Sequence, residues 1–139
     1  MMKCLFVGDT PSPKSKRPWD AFEPATKSGK TIREWAPLMG VDLFICINRT
    51  DSLFQFTVES AQIMKFPIIS FGEKAHKALS KLKVPHFEMP HPSGRNRKIN
   101  DKKFLTERLQ ECKMYVERCK RGYYGHIDSD PGLDMAGRP

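Results

Sequence analysis

Apolar residues in this chain fall in four short bursts, each followed by a segment in which they recur every three or four positions. The bursts are KCLFVG (3–8), DLFICIN (42–48), FPIISFG (66–72) and VPHFEMP (84–90). Runs of this length with little polar alternation predict strands buried on both faces of a parallel sheet. The fourth is the weakest, because Pro85 cannot donate to a ladder and suits an edge position.

The segments between them carry the helical period. A helix is expected from near Ser28 through TIREWAPLMG to Gly40, with Ile32, Trp35 and Met39 on one face and Pro37 shortening or kinking it. DSLFQFTVESAQIMK (51–65) reads as the second helix, with Asp51 or Ser52 as its cap. EKAHKALSKLK (73–83) is the third, with Ala75, Ala78, Leu79 and Leu82 inward. DKKFLTERLQECKMYVERCKRG (101–122) is the best patterned, with Leu105, Leu109, Cys112, Val116 and Cys119 in one stripe and Gly122 as terminator.

Four strand–helix units in strict alternation predict an α/β fold, a three-layer αβα sandwich around a four-stranded parallel sheet. In such sheets ligands bind beyond the carboxyl ends of the strands. The segments expected there are GDTPSP, NRTDS, FGEKA and HPSGRNR, so chemistry is expected on that edge.

At 139 residues the chain fits one domain, expected over 1–122, followed by an aperiodic and flexible tail over 123–139. Hydrophobic residues make up 39% and charged residues 29%, as in ordinary globular proteins. No apolar stretch reaches membrane-spanning length, and MMKCLFVGD lacks the plan of a signal peptide, so an intracellular, non-secreted protein without a membrane partner is expected. The net charge of +8 favours a polyanionic partner.

The four cysteines contain no CxxC pair. Cys4 and Cys46 fall in expected buried strands, and Cys112 and Cys119 lie seven apart on one helix face, so they read as small core hydrophobes. No metal or cofactor is expected. ATKSGKT ends like a phosphate-binding P-loop, but Pro24 stands where that pattern needs glycine and no strand leads into it. Ser28 to Thr31 therefore read as a helix start, with Lys27 and Lys30 free to meet phosphates. The long segment DTPSPKSKRPWDAFEPATKSG (9–29) is of the length usually reserved for function or disorder, and its aromatics Trp19 and Phe22 argue against disorder.

Three of the edge segments together resemble the uracil-DNA glycosylase superfamily. VGDTPSP resembles its first motif, a strand-end glycine followed by an acidic or amide residue and proline. HPSGRNR resembles its second, which follows the last strand and begins His-Pro-Ser or Asn-Pro-Ser. Between them, AFEPATKSGKTIREWAPLMGVDLFICIN is similar to the stretch carrying a base-stacking phenylalanine, a small-residue–Gly helix start and a strand ending in asparagine. IISFGEKAHKAL is similar to the third strand and helix, so the likeness spans most of residues 3–120. The cysteine spacing of the family's iron–sulfur branch is absent.

The resemblance implies a monofunctional DNA glycosylase of base excision repair, a monomer acting on damaged duplex or single-stranded DNA by base flipping. It would hydrolyse the N-glycosidic bond of uracil or a related pyrimidine without cofactor. Such a reaction passes through an oxocarbenium-like state, with negative charge on the departing base. Asp9 would be the carboxylate beside the sugar. The family pattern is imperfect here: some branches place the acid or amide where this chain has Thr10, and others use a longer glutamate in place of Asp9. His91 would donate to the pyrimidine O2. Asn48 would read O4 and N3–H, and Phe22 would stack on the ring, with Trp19 as its substitute.

Thr10 and Ser12 complete the expected base pocket. Ser12 stands where strict uracil enzymes carry a tyrosine against C5, which implies tolerance of 5-substituted pyrimidines. Ser93, Gly94, Arg95, Arg97 and Lys98 would form the DNA clamp, with Arg95 filling the space left by the flipped base. Two alternatives stay open. One is a non-catalytic DNA-binding module of the same fold, favoured by the Asp9/Thr10 departure. The other is a small α/β protein acting on free nucleotides.

Overall fold

The structure, a computed structural model, describes residues 3–10, 21–93 and 96–122. Its strands are Lys3–Gly8 (β1), Leu43–Asn48 (β2), Ile68–Phe71 (β3) and Phe87–Met89 (β4). Its helices are Lys27–Leu38 (α1), Phe54–Ile63 (α2), Glu73–Lys81 (α3) and Lys102–Lys120 (α4), with a short 3-10 turn over Arg97–Asn100 ahead of α4. The expected tail, together with Ser12, Trp19, Gly94 and Arg95, lies outside the described residues.

All strand pairs are parallel, in the order β2-β1-β3-β4. Register runs Lys3↔Leu43 to Gly8↔Asn48 on one side of β1 and Leu5↔Ile68 to Val7↔Ser70 on the other. Alternate β1 residues feed two cores. Cys4 and Phe6 join Ile32, Trp35 and Met39 of the α1 segment and Leu109, Cys112, Tyr115 and Val116 of α4. Leu5 and Val7 join Val58 of α2 and Ala75 and Leu79 of α3. Helices therefore cover both faces of the sheet. Strand alternation and helical stripes together dictate this arrangement.

The element boundaries follow local chemistry. Thr26, rather than a residue near Ser28, caps α1, its Oγ1 accepting from the Gly29 N–H at 3.0 Å. Pro37 sits in the last turn of α1 and the helix stops one residue later. Neither Asp51 nor Ser52 caps α2. The Asp51 carboxylate instead accepts from the Leu53 N–H at 2.8 Å, closing an Asx turn before Phe54. Asp101 caps α4 through the Phe104 N–H, and Gly122 (φ 91°) follows its end.

One expectation is corrected outright. β2 is not buried on both faces: it is an outer strand, with Leu43 49% and Ile45 41% exposed and Cys46 half-buried. The apolar run was right for a strand, but burial depends on strand order, which the run does not carry. β4 is the other outer strand. The Arg108 guanidinium guards it, lying 4.2 Å over the Phe87 ring and donating twice to the Glu88 carbonyl, from Nε (2.9 Å) and Nη2 (2.6 Å).

Candidate functional site

From β1 the chain leaves through α1 toward β2, and from β3 it leaves through α3 toward β4, on opposite faces of the sheet. A divergence of this kind opens a crevice between the carboxyl ends of β1 and β3. Gly8 and Asp9 end β1, and Gly72 ends β3, two residues past the Val7↔Ser70 pair. The β1–β3 pairing ends at Val7↔Ser70, so Asp9 and Gly72 each stand two residues past it at the ends of adjacent strands.

Asn48 and Phe22 converge on Gly8. A Cβ built on Gly8 would stand 3.0 Å from Asn48 Oδ1 and 3.1 Å and 3.2 Å from two atoms of the Phe22 ring. Asn48 is 4% exposed and is brought there by the β1–β2 register. Phe22 is held by unusual means. Its φ is 53°, a left-handed conformation costly for an aromatic residue, and such strain tends to collect at functional sites.

The surroundings enforce that conformation. Arg33 Nη1 donates to the Phe22 carbonyl at 2.8 Å, and the ring meets Phe71 edge-on at 5.4 Å. Gly29 lets the turn press against α1, since a Cβ there would fall 2.0 Å from the Glu23 carbonyl oxygen. This gives the small-residue–Gly helix start a purpose: only glycine fits beneath that turn.

His91 follows β4 and leans back over Gly72. A Cβ on Gly72, whose φ of 99° already favours glycine, would stand 3.2 Å from His91 Cδ2. The Ser93 backbone N–H donates to His91 Nδ1 at 3.0 Å, and Asn96 Nδ2 donates to the His91 carbonyl at 2.9 Å. An imidazole that accepts at Nδ1 carries its proton on Nε2 when neutral. Burial lowers the His91 pKa, and the nearby Asp9 charge partly opposes that shift. The ring therefore stands as a neutral donor at pH 7, close enough to Asp9 to feel its charge.

Asp9 is itself partnered. Arg49 Nε donates to Asp9 Oδ1 at 2.6 Å, with both side chains about one-quarter exposed, and the Arg49 N–H donates to the Gly8 carbonyl at 2.9 Å. Reading the sequence missed Arg49, although it directly follows Asn48 on an edge loop. Its partner is 40 positions away, so only the β1–β2 register brings the two together. The same reading missed the bracing roles of Gly72, Asn96 and Phe71.

The remaining expected residues divide. Thr10 is exposed beside Asp9, and Arg97 and Lys98 are exposed on the 3-10 turn. The Ser93 N–H serves the imidazole, so its first task is orientation. A groove of about 720 Å³ opens on the β4 side of His91, lined by His76, Glu88, His91, Lys98, Phe104 and Arg108 among others. Asp9, Phe22 and Asn48 do not line it. Two of the cations in its lining face carboxylates, Lys77 with Glu73 at 2.9 Å and Arg108 with Glu111 at 3.4 Å. It is not a uniformly basic channel.

No helix among the described residues is long and apolar enough to cross a membrane. Among the same residues no cluster of three or more His, Cys, Asp or Glu side chains is arranged to hold a metal ion. Comparisons with protein-family models, curated proteins and solved structures return no match.

Proposed function

We propose that this chain is a DNA glycosylase of the uracil-DNA glycosylase type, hydrolysing the bond between deoxyribose and a flipped-out uracil or related pyrimidine. The observation that carries the reading is the pairing of a neutral imidazole donor with a carboxylate across one switch-point crevice. Negative charge develops on the base as the bond lengthens. A preorganised donor near pyrimidine O2 stabilises that charge without reorganising. Asp9 stabilises the positive sugar or holds the attacking water.

The convergence of Asn48 and Phe22 on Gly8 supports the base-binding half. An amide at Asn48 both donates and accepts, which matches O4 and N3–H of uracil and mismatches cytosine. Phe22 offers a ring at van der Waals distance from the same point. Arg97 and Lys98 sit on the loop that carries His91, so phosphate contacts there would deliver the nucleotide to the imidazole.

A second reading is favoured by one observation: the Arg49 guanidinium neutralises Asp9. A carboxylate tied up in this way belongs equally in a module that binds DNA and does not turn it over. The test is incubation with labelled uracil-containing and G·T-mismatched oligonucleotides, followed by alkaline cleavage. Breaks at the base that vanish in Asp9→Asn and His91→Ala support the enzyme. Tight, salt-sensitive binding without breaks supports the module. Absence of both overturns the proposal.

A further inference from the structure

The two outer strands are treated very differently. β4 is three residues long, lies between Pro85 and Pro90, and is covered by Arg108. Proline, short length and covering charge are the usual guards against strand addition. β2 is longer and has no proline, and the guanidinium beside it, Arg33, lies 5.5 Å over the Phe44 ring and donates to the Phe22 and Gly29 carbonyls rather than to the strand's own edge. Its six residues, LFICIN, include no proline or charge, and its register with β1 is continuous from Lys3↔Leu43 to Gly8↔Asn48, without a bulge. Among the described residues nothing pairs with its outer edge.

The surface beside that edge is apolar. Leu43 and Ile45 alternate with Phe44 and Cys46, and so share a sheet face with Ile47, which packs in the α2–α3 core. α2 packs over β1 and β2 and buries Phe54, Val58 and Ala61. A β-α-β crossover is right-handed, and helical spacing then turns Leu53 and Met64 toward the β2 side, while Phe56 and Ile63 fall on the side of the helix away from the sheet. Leu53 is 60% exposed, Phe56 68%, Ile63 80% and Met64 62%. Leu43, Ile45, Leu53 and Met64 together expose apolar surface on the order of 400 Å², against about 800 Å² per partner in a standard stable interface.

Charge narrows the choice of occupant. α1 carries Lys27, Lys30 and Arg33, and α3 carries Lys74, Lys77 and Lys81, whereas α2 has no lysine or arginine. On a chain of net charge +8 this face offers a polyanion little, yet on the α2 side it lets two like-charged molecules meet without opposing cations, Arg33 lying over Phe44 on the other face of the sheet. The open ladder asks for a strand, and a second copy presents an identical one.

We propose that β2 and the adjoining flank of α2 join two copies of this chain in an isologous dimer, with β2 pairing antiparallel to its counterpart. A two-fold axis normal to the sheet keeps like faces together and builds one eight-stranded sheet. It sets the two α2 helices on the order of 10 Å apart, at side-chain packing distance. The carboxyl edges of the two halves point in opposite directions, so each crevice stays whole. The inference is independent of the glycosylase reading and replaces the monomer expected from sequence.

The test is sedimentation velocity on the full chain over about 1–100 µM, with circular-dichroism melts of the same samples. The expected mass is twice 16.0 kDa. Ile45→Lys places a charge at the axis on a 41% exposed position and is expected to raise the dimer dissociation constant at least about 100-fold while leaving the melt of the monomer intact. Leu53→Glu, on the flank of α2 that meets its counterpart and 60% exposed, is expected to act in the same direction and decides the matter if Ile45→Lys does not fold. A monomer at the highest concentration overturns the inference. So does a dimer that neither variant weakens, or a ladder of larger species, since one free strand per chain closes at two.

Discussion

Replacing Gly8 with alanine tests the centre of the site directly. The new methyl would stand 3.0 Å from Asn48 Oδ1 and 3.1 Å from the Phe22 ring, a few tenths of an ångström too close to each. Overpacking of this kind costs about 1–3 kcal/mol, and the stiffer unfolded chain returns about 0.4–1 kcal/mol. The expected net loss is about 1–2 kcal/mol, or a melting temperature lower by roughly 3–8 °C for a domain of this size. Function should fall further than stability. Asn48 and Phe22 must move apart by a fraction of an ångström, and a 1 Å misplacement can cost about 100-fold, so kcat/KM on a uracil oligonucleotide is expected to drop about tenfold or more.

Gly29→Ala provides the contrast. There the methyl would lie 2.0 Å from a backbone oxygen, which cannot yield as a side chain can. The expected loss is at least about 3 kcal/mol despite alanine's better helix propensity, measured by urea denaturation. A Gly8→Ala protein with unchanged melting and undiminished turnover would refute the idea that the amide and the ring are held against that glycine.

Other expectations follow from the same geometry. The His91 pKa is lowered in the folded state, so between that value and about 6.5 the unfolded chain binds more protons. Stability from the neutral ring is full above the unfolded pKa and is lost as pH falls below it. Urea titrations at pH 5 and 7 should therefore differ less in His91→Gln than in the parent. In a double-mutant cycle, Asp9→Asn and Arg49→Gln should couple by about 0.5–1 kcal/mol, the scale of a partly exposed ion pair; strictly additive losses would mean that the 2.6 Å contact is not maintained in solution. Burial pushes the Cys4 thiol up to about 12 and Cys119 up to about 11, so a thiol reagent at pH 8 should label neither until the chain is unfolded.

The sequence carried the elements well because their signals are local. The run at 3–8 coincides with β1, the run at 66–72 brackets the observed strand Ile68–Phe71, and the α4 stripe from Leu109 to Cys119 is buried as its spacing required. Errors arose where a property depends on distant partners. The run at 42–48 reads the same whether a strand ends up central or outermost, and only the order β2-β1-β3-β4 exposes Leu43 and Ile45. Arg49 carried no sign of its tie to Asp9, and the weight resting on Gly29 is visible only once the turn at Phe22 lies on it. The segments holding Asp9, Asn48 and His91 could be placed on one edge because loops at the carboxyl ends of parallel strands share it, while the residues themselves, Phe22 included, were singled out by the family resemblance. Which side chains would brace them could be read from neither.

The crevice draws on two successive stretches of chain. Asp9, Phe22 and Asn48 come from the first, Gly72 and His91 from the second. A ribosome delivers them in that order, so a nascent polypeptide holds the Asp9 carboxylate and the Asn48 amide long before the His91 imidazole exists. The edge is assembled only once the final unit has docked, because that unit also brings Leu109, Cys112, Tyr115 and Val116 to the core beneath β1.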